Sequence, residues 1–435
     1  MAEPRRPASD DERAHARAVR AWCMYDWANS AFATSVVAAI LPVWFAAIAA
    51  KVMPANLATA RWGYASAVAM LLSGVLGPVL GATADRHRMR KPLLAGCILV
   101  GSLGTASLAF VPSADWHVLL VLFGAAFLAF AVGNALYDSL LPAVASPDEM
   151  HRISARGFAY GYLGGGLLLA LNLAWIMFPH RFGLASVEAA TRLAFLSVAV
   201  WWAGFSLPLL LQVPEPRDEA VSEHASANPL AQVWHTLGSL RGRPELLRFL
   251  AAFWLYSDGI GTIVKMATVY GSEVGIGRND LIGALLMVQL VAAPASLAFG
   301  RLARPLGPQR TVAIGIAGYL VITMLGFFMT RPIHFWMLAA LVALFQGGTQ
   351  ALSRSMFASL VPRRQTSELF GFYSVSEKLS GVVGPLLFGV VAQFTGHGRW
   401  ATLTLLPFFL VGAWLLLTVD LDKGRARAQA MDAAG

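Results

Sequence analysis

Apolar residues in this chain collect into long runs separated by short polar breaks. A run of about twenty or more mostly apolar residues can cross the hydrocarbon core of a bilayer as a helix. Twelve such runs are predicted: 22–50, 61–84, 92–111, 116–141, 156–178, 191–212, 246–272, 281–303, 311–330, 333–361, 368–395 and 399–419. Only one connection is long. Residues 213–245 open with Pro214, Glu215, Pro216, Arg217, Asp218 and Glu219 and continue through a Ser/Ala/Asn stretch. Within them Leu230, Val233, Trp234, Leu237 and Leu240 recur at helical spacing, which predicts an amphipathic helix lying on a membrane surface. The predicted organisation is a polar tail over 1–20, a six-helix half over 21–212, the linker 213–245, a second six-helix half over 246–420 and a tail over 421–435.

The polar residues inside the runs repeat at half the chain length. Tyr25-Asp26-Trp27 returns as Tyr256-Ser257-Asp258, an offset of 232 between the two aspartates. Gly81-x-x-x-Asp85-Arg86 returns as Gly300-x-x-x-Arg304, offset 219. Asn134-Ala-Leu-Tyr-Asp138-Ser139 returns as Gln350-Ala-Leu-Ser-Arg354-Ser355, offset 216, and Gly157-Phe158 returns as Gly371-Phe372, offset 214. Chance would scatter these offsets; a steady shrinkage in the same order fits a parallel duplication, an arrangement used by secondary transporters. Charges within hydrocarbon are expensive, so each repeated one marks a functional site by default.

Composition narrows the class. Of 435 residues, 57% are apolar and 13% charged, against about a quarter charged in soluble domains. The formal charge of +9 points to no nucleic acid, because the basic residues lie in short loops and form no basic face. With the N-terminus placed in the cytoplasm, 23 Lys and Arg fall on that side and seven on the other. That excess puts both termini inside, in a cell or inner membrane. The first run contains Asp26 and has no persuasive cleavage site, so it reads as a retained helix rather than a signal peptide. Cys23 and Cys97 lack metal-ligand spacing and read as packing residues. No Gly-Lys dipeptide exists for a phosphate loop, and no His-Glu-x-x-His or Gly-x-Ser-x-Gly motif is present. A cofactor, a metal or an enzymatic activity is therefore not expected.

Gly81-Ala-Thr-Ala-Asp85-Arg86-His87-Arg88-Met89-Arg90-Lys91 resembles the loop motif of the major facilitator superfamily. Gly81 lets two helices approach closely, and Asp85 at a helix end can pair with an Arg or cap a neighbouring helix. Gly81, Asp85, Arg86, Arg90 and Lys91, with Gly300, Arg304 and Arg310 in the second copy, are the candidate conformational latch. Arg88 and Met89 stand where the motif has Gly and a basic residue. Arg304 stands where it has Asp, so the second latch is altered or reversed in charge. Tyr25-Asp26-Trp27-Ala28-Asn29-Ser30, Gln350-Ala-Leu-Ser-Arg354-Ser355 and Phe370-Gly-Phe-Tyr373, followed by Lys378 and Gly384-Pro385, resemble the bacterial relatives of the autophagy-related vacuolar amino-acid effluxer, over roughly residues 20–420. The resemblance implies the major facilitator fold, a transport role, a small-molecule solute as partner and, from the eukaryotic branch, amino-acid efflux. Such proteins usually act as monomers.

Candidate solute or proton-site residues are Asp26, Asn29, Asp258, Lys265, Gln350, Arg354, Glu377, Lys378, Tyr256 and Tyr373. Asp26 and Asp258 take equivalent places in the first helix of each half and can titrate or bind a cation; Asp26 can equally be a helix cap near the interface. All nine histidines are assigned to loops or tails, leaving Asp26, Asp138, Asp258 and Glu377 as proton carriers. Asp138 and Arg354 can pair across the halves or anchor within each, and Arg354 can instead grip a substrate carboxylate. The expected protein is a proton-coupled, alternating-access transporter of an amino acid or related anion. A drug or metabolite exporter and a non-transporting sensor of the same fold remain open.

Overall fold

The computed structural model describes residues 10–49, 51–53, 55–112, 115–215, 238–379, 383–395 and 397–433. Among these the chain is all helical. The first half comprises α1 (Asp10–Ala31), α2 (Leu41–Ala49), α3 (Ala55–His87), α4 (Arg90–Ser107), α5 (Trp116–Ser139), the short α6 (Leu141–Val144), α7 (Met150–Met177) and α8 (Val187–Gln212). The second comprises α9 (Pro244–Glu273), α10 (Arg278–Leu306), α11 (Pro308–Phe327), α12 (Pro332–Leu360), α13 (Thr366–Leu379), α14 (Val383–Thr395), α15 (Gly398–Thr402), α16 (Leu406–Leu417) and α17 (Leu421–Ala433). Ten helices among the described residues are long and apolar enough to cross a membrane. The expected runs 246–272 and 368–395 coincide with α9 and with the pair α13 and α14.

Several boundaries differ from expectation for local reasons. The first helix starts at Asp10, well inside the expected tail, because Asp10, Asp11 and Glu12 place carboxylates on its positive N-terminal end. Between α1 and α2 the backbone widens into a π-helical turn over Phe32–Ile40, a form that concentrates at functional sites. The fifth span starts at Met150 rather than 156, so His151, Arg152 and Arg156 are helical. The run 368–395 is helical on both sides of residues 380–382, which, with Gly381 among them, lie outside the described residues. The C-terminal tail is mostly a helix, α17, packed on α9 and α12. The predicted surface helix lies largely within 216–237, outside the described residues.

Packing repeats between the halves. α1 packs on α7 and α8, and α9 on α13, α14 and α16; α4 packs on α5 and α8, and α11 on α12 and α16; α3 meets α5 as α10 meets α12. Two seams join the halves, α3 with α13 and α7 with α10. Both rest on glycine. A Cβ on Gly81 would drive into the backbone of Ser367 and Glu368, and one on Gly300 into Ala155. Within the first half, Gly157, Gly161 and Gly164 of α7 lie against Asp26, Ser30 and Trp27 of α1, and Gly165 against Thr34 of the π-helical turn, the small-residue contact that lets helix backbones touch in a membrane.

Candidate transport site

Arg354, on α12 of the second half, crosses the interface and is buried in the first. Its Nη1 donates to Asp138 Oδ1 at 2.9 Å and to Asp26 Oδ2 at 3.3 Å. Nη2 donates to Asp26 Oδ2 at 3.3 Å and to the Ser154 carbonyl at 2.9 Å, and Nε to the Ser154 hydroxyl at 2.9 Å. These are five bonds, matching the five N–H groups of a guanidinium. Aromatic faces enclose it: Phe158, Trp22 and Tyr137 have ring centres 4.4, 4.8 and 5.7 Å from the guanidinium carbon. The Tyr137 hydroxyl donates to Asp26 Oδ2 at 2.8 Å. Gly157 completes the cage, since a Cβ there would strike both the Asp26 carboxylate and Arg354. A buried charge is tolerable only when paired and fully hydrogen-bonded, and this one is both.

The cage forms the floor of a cavity between the halves. Counting space open to solvent, it measures about 1130 Å³ and is walled by Ala33 and Val37 of the π-helical turn, by Phe127, Phe130, Phe158 and Phe253, and by Tyr256, Ser257, Lys265, Gln350 and Tyr373, with Asp138 and Arg354 at its base. The Tyr256 hydroxyl shares a 2.6 Å hydrogen bond with Ser353, and Tyr373 stacks on Phe253 at 4.3 Å. A cavity with apolar walls and a few placed polar groups is the usual form of a small-molecule site.

Below the floor, the end of the bundle that carries both termini is clamped shut. Asp85, at the end of α3, accepts the backbone N–H groups of Ser367 and Glu368 at 3.1 and 2.9 Å, capping the start of α13. Arg90 holds that carboxylate with Nε at 3.0 Å and reaches the Arg363 carbonyl with Nη2 at 2.9 Å. The Ser367 hydroxyl donates to Ser139 at 2.9 Å. His151 Nδ1 lies 2.7 Å from the Ser355 hydroxyl, and Ser154 donates to the Ala351 carbonyl at 2.7 Å. Glu149, outside the spans, is partly buried, which alone would raise its carboxyl. Bonds from Ser146, His15 and Arg152 outweigh this and hold it below the usual carboxylate range.

The structure divides the predicted residues into groups. Arg354, Asp138, Lys265, Gln350, Tyr256 and Tyr373 meet at the cavity. Asp26 sits behind its floor, and Asn29 donates to Asn134 at 2.8 Å and is a packing residue. Asp258 is fully buried away from the cavity; one carboxylate oxygen accepts the Gly384 N–H at 2.9 Å, tying α9 to the start of α14. Ser257 lines the cavity in its place, because adjacent helical residues point about 100° apart. The side chains of Glu377 and Lys378 lie outside the described residues. In the latch, Asp85 and Arg90 bridge the halves, whereas Lys91 stays in the first, its Nζ on the Val213 carbonyl at 2.6 Å. Arg304 and Arg310 are exposed. His15, His87, His117, His151 and His334 are all helical, correcting their assignment to loops or tails, and His151 is bonded across the interface. Tyr137 stands out in the sequence as an aromatic beside the charges; Trp22, Ser154 and Phe158 do not, because neutral side chains in apolar runs carry no cost that flags them.

The architecture recurs in solved transporters. The human organic anion transporter MFSD10 superposes with a TM-score of 0.71 at 16% identity, covering 94% of this chain and all of that one. FucP, in the outward conformation, gives 0.70 at 12% identity, covering 93% and 98%. The fold is the major facilitator fold, here a multi-pass helical bundle with a caged charge cluster under a central cavity. The profile of the family described as "Vacuole effluxer Atg22 like" matches residues 55–429, and the chain belongs to that family. An uncharacterized MFS-type transporter, YxiO, of Bacillus subtilis (strain 168) is 37% identical over 400 residues, covering 92% of this chain and 94% of its own length. Autophagy-related protein 22 of Eremothecium gossypii is 27% identical over 408 residues, covering 84% and 78%.

Proposed function

We propose that this protein moves a small anionic or zwitterionic solute, an amino acid with an apolar side chain being the best fit, by alternating access in a cell membrane. The cavity carries the reading. Lys265 offers a cationic contact for a carboxylate, Gln350 and Ser257 offer polar ones, and Phe127, Phe130, Phe158 and Phe253 suit an apolar side chain. A uniformly greasy cavity would favour lipophilic drugs, and this one has a charged base. The excess of basic residues on the terminal end supports a cytoplasmic position for that end, and on this reading the described state is closed inward.

Opening inward requires Arg354 to leave Asp26 and Asp138. Protonation of either carboxylate weakens its hold on the guanidinium, which supplies a route for proton coupling through Asp26. Asp258 is the second candidate carrier, acting on the α9–α14 contact rather than on solute. The test is uptake into proteoliposomes of amino acids, organic acids and cationic drugs, with and without a pH gradient. Accumulation of a zwitterion that needs the gradient and is lost in Lys265→Ala supports the reading. Transport of lipophilic cations alone, or uptake indifferent to both the gradient and Lys265, overturns it.

A further inference from the structure

The two seams between the halves differ in charge. At the α3–α13 seam the protein supplies its own anion, Asp85. At the α7–α10 seam the matching position is Arg304, and a second cavity opens there on the terminal end. It measures about 1420 Å³ counting space open to solvent. Arg152 of the first half, Arg304 and Arg363 of the second and Arg425 of α17 all line it. Against these four guanidinium groups stand the carboxylates of Asp148 and Asp432. Asp432 is already engaged, accepting the Arg363 backbone N–H at 3.0 Å. Arg425 is positioned by Ser359 at 3.3 Å and by Asp422 at 3.4 Å, and Arg152 by Glu149. His151 adds an imidazole to the same wall.

Guanidinium forks from separate elements that line one cavity match the oxygens of a phosphate. We propose that this pocket binds a phosphate-bearing anion that bridges the first half, the second half and the C-terminal helix. Such a ligand does for the α7–α10 seam what Asp85 does for the α3–α13 seam. Because its partners lie on both halves, separation of the halves at this end dismantles the site, so binding and opening compete. The anion can be a phospholipid headgroup or a soluble phosphate; the chemistry of recognition is the same. The proposal is independent of which solute the central cavity carries.

The test is thermal unfolding of the detergent-purified full chain with dioctanoyl phosphatidylglycerol, with inorganic phosphate, with ATP and with phosphate-free dioctanoylglycerol. Binding to the folded state raises the unfolding temperature in a concentration-dependent way. A rise with phosphatidylglycerol alone assigns a lipid headgroup, and a rise with phosphate or ATP a soluble one; either supports the site. Arg304→Asp and the pair Arg304→Ala with Arg425→Ala should each weaken apparent affinity at least about tenfold, while Arg310→Ala, exposed and outside the pocket, should not. No rise with any phosphate-bearing probe overturns the proposal. So does an equal loss in Arg310→Ala, which would mean a diffuse basic field rather than a site.

Discussion

A guanidinium closed between two carboxylates and three aromatic rings leaves its partners badly placed if it is removed. Arg354→Ala strands Asp26 and Asp138 in a site where their side chains are 13% and 16% exposed. Breaking a buried pair from one side costs about 3–5 kcal/mol, so thermal unfolding of this variant should show a large loss of stability. Adding Asp26→Asn and Asp138→Asn should recover part of it, because the stranded charges are then gone. Arg354→Lys should rescue poorly, since an ammonium cannot make the five-bond pattern. If Arg354→Ala melts like the wild type, the cage does not hold the described state together. The charged members of this cage were legible in the sequence because charges in apolar runs are conspicuous. Apart from Tyr137, which adjoins Asp138, the ring and hydroxyl partners were not, and neither was the direction of Arg354: side-chain spacing says which helix face a residue occupies, not which neighbour it meets.

At the scale of elements, the Asp85 cap on α13 is the contact that joins helices of different halves most directly. Losing a helix cap costs about 0.5–2 kcal/mol. In Asp85→Ala, amide hydrogen exchange over residues 366–369 should therefore quicken by roughly 2- to 30-fold, with exchange in the middle of α5 unchanged. Unaltered exchange at 366–369 would remove Asp85 from the latch. The first latch was readable because its Gly, Asp and basic residues lie within one short stretch. Its partners on α13 were not readable, since Ser367 and Glu368 meet Asp85 through backbone N–H groups, which every sequence has. The same limit explains Asp258: its place in the first helix of the second half was evident, but its target, the Gly384 N–H, leaves no mark on composition.

For the whole molecule, the repeated offsets gave the duplicated halves, and the repeated helix pairings agree with them. What no repeat could show is which end is closed, because both end states of a rocking molecule are compatible with the same sequence. The interface offers a direct test of whether these halves separate at the terminal end during transport. Ser139 on α5 and Ser367 on α13 face each other with their hydroxyl oxygens 2.9 Å apart, close enough for a cysteine pair to approach disulfide geometry. In Ser139→Cys with Ser367→Cys, oxidation should join the halves at this end and stop solute flux, and reduction should restore it. In a Cys97→Ser background the single variants should be indifferent to oxidant, since the other native cysteine, Cys23, is buried and Cys97 is only partly so. Oxidised protein that still transports at the reduced rate would show that the terminal end need not open, and would refute rocking about the central cavity. Arrest reversed by reductant would show that the end closed in this structure is one of two that the cycle must open.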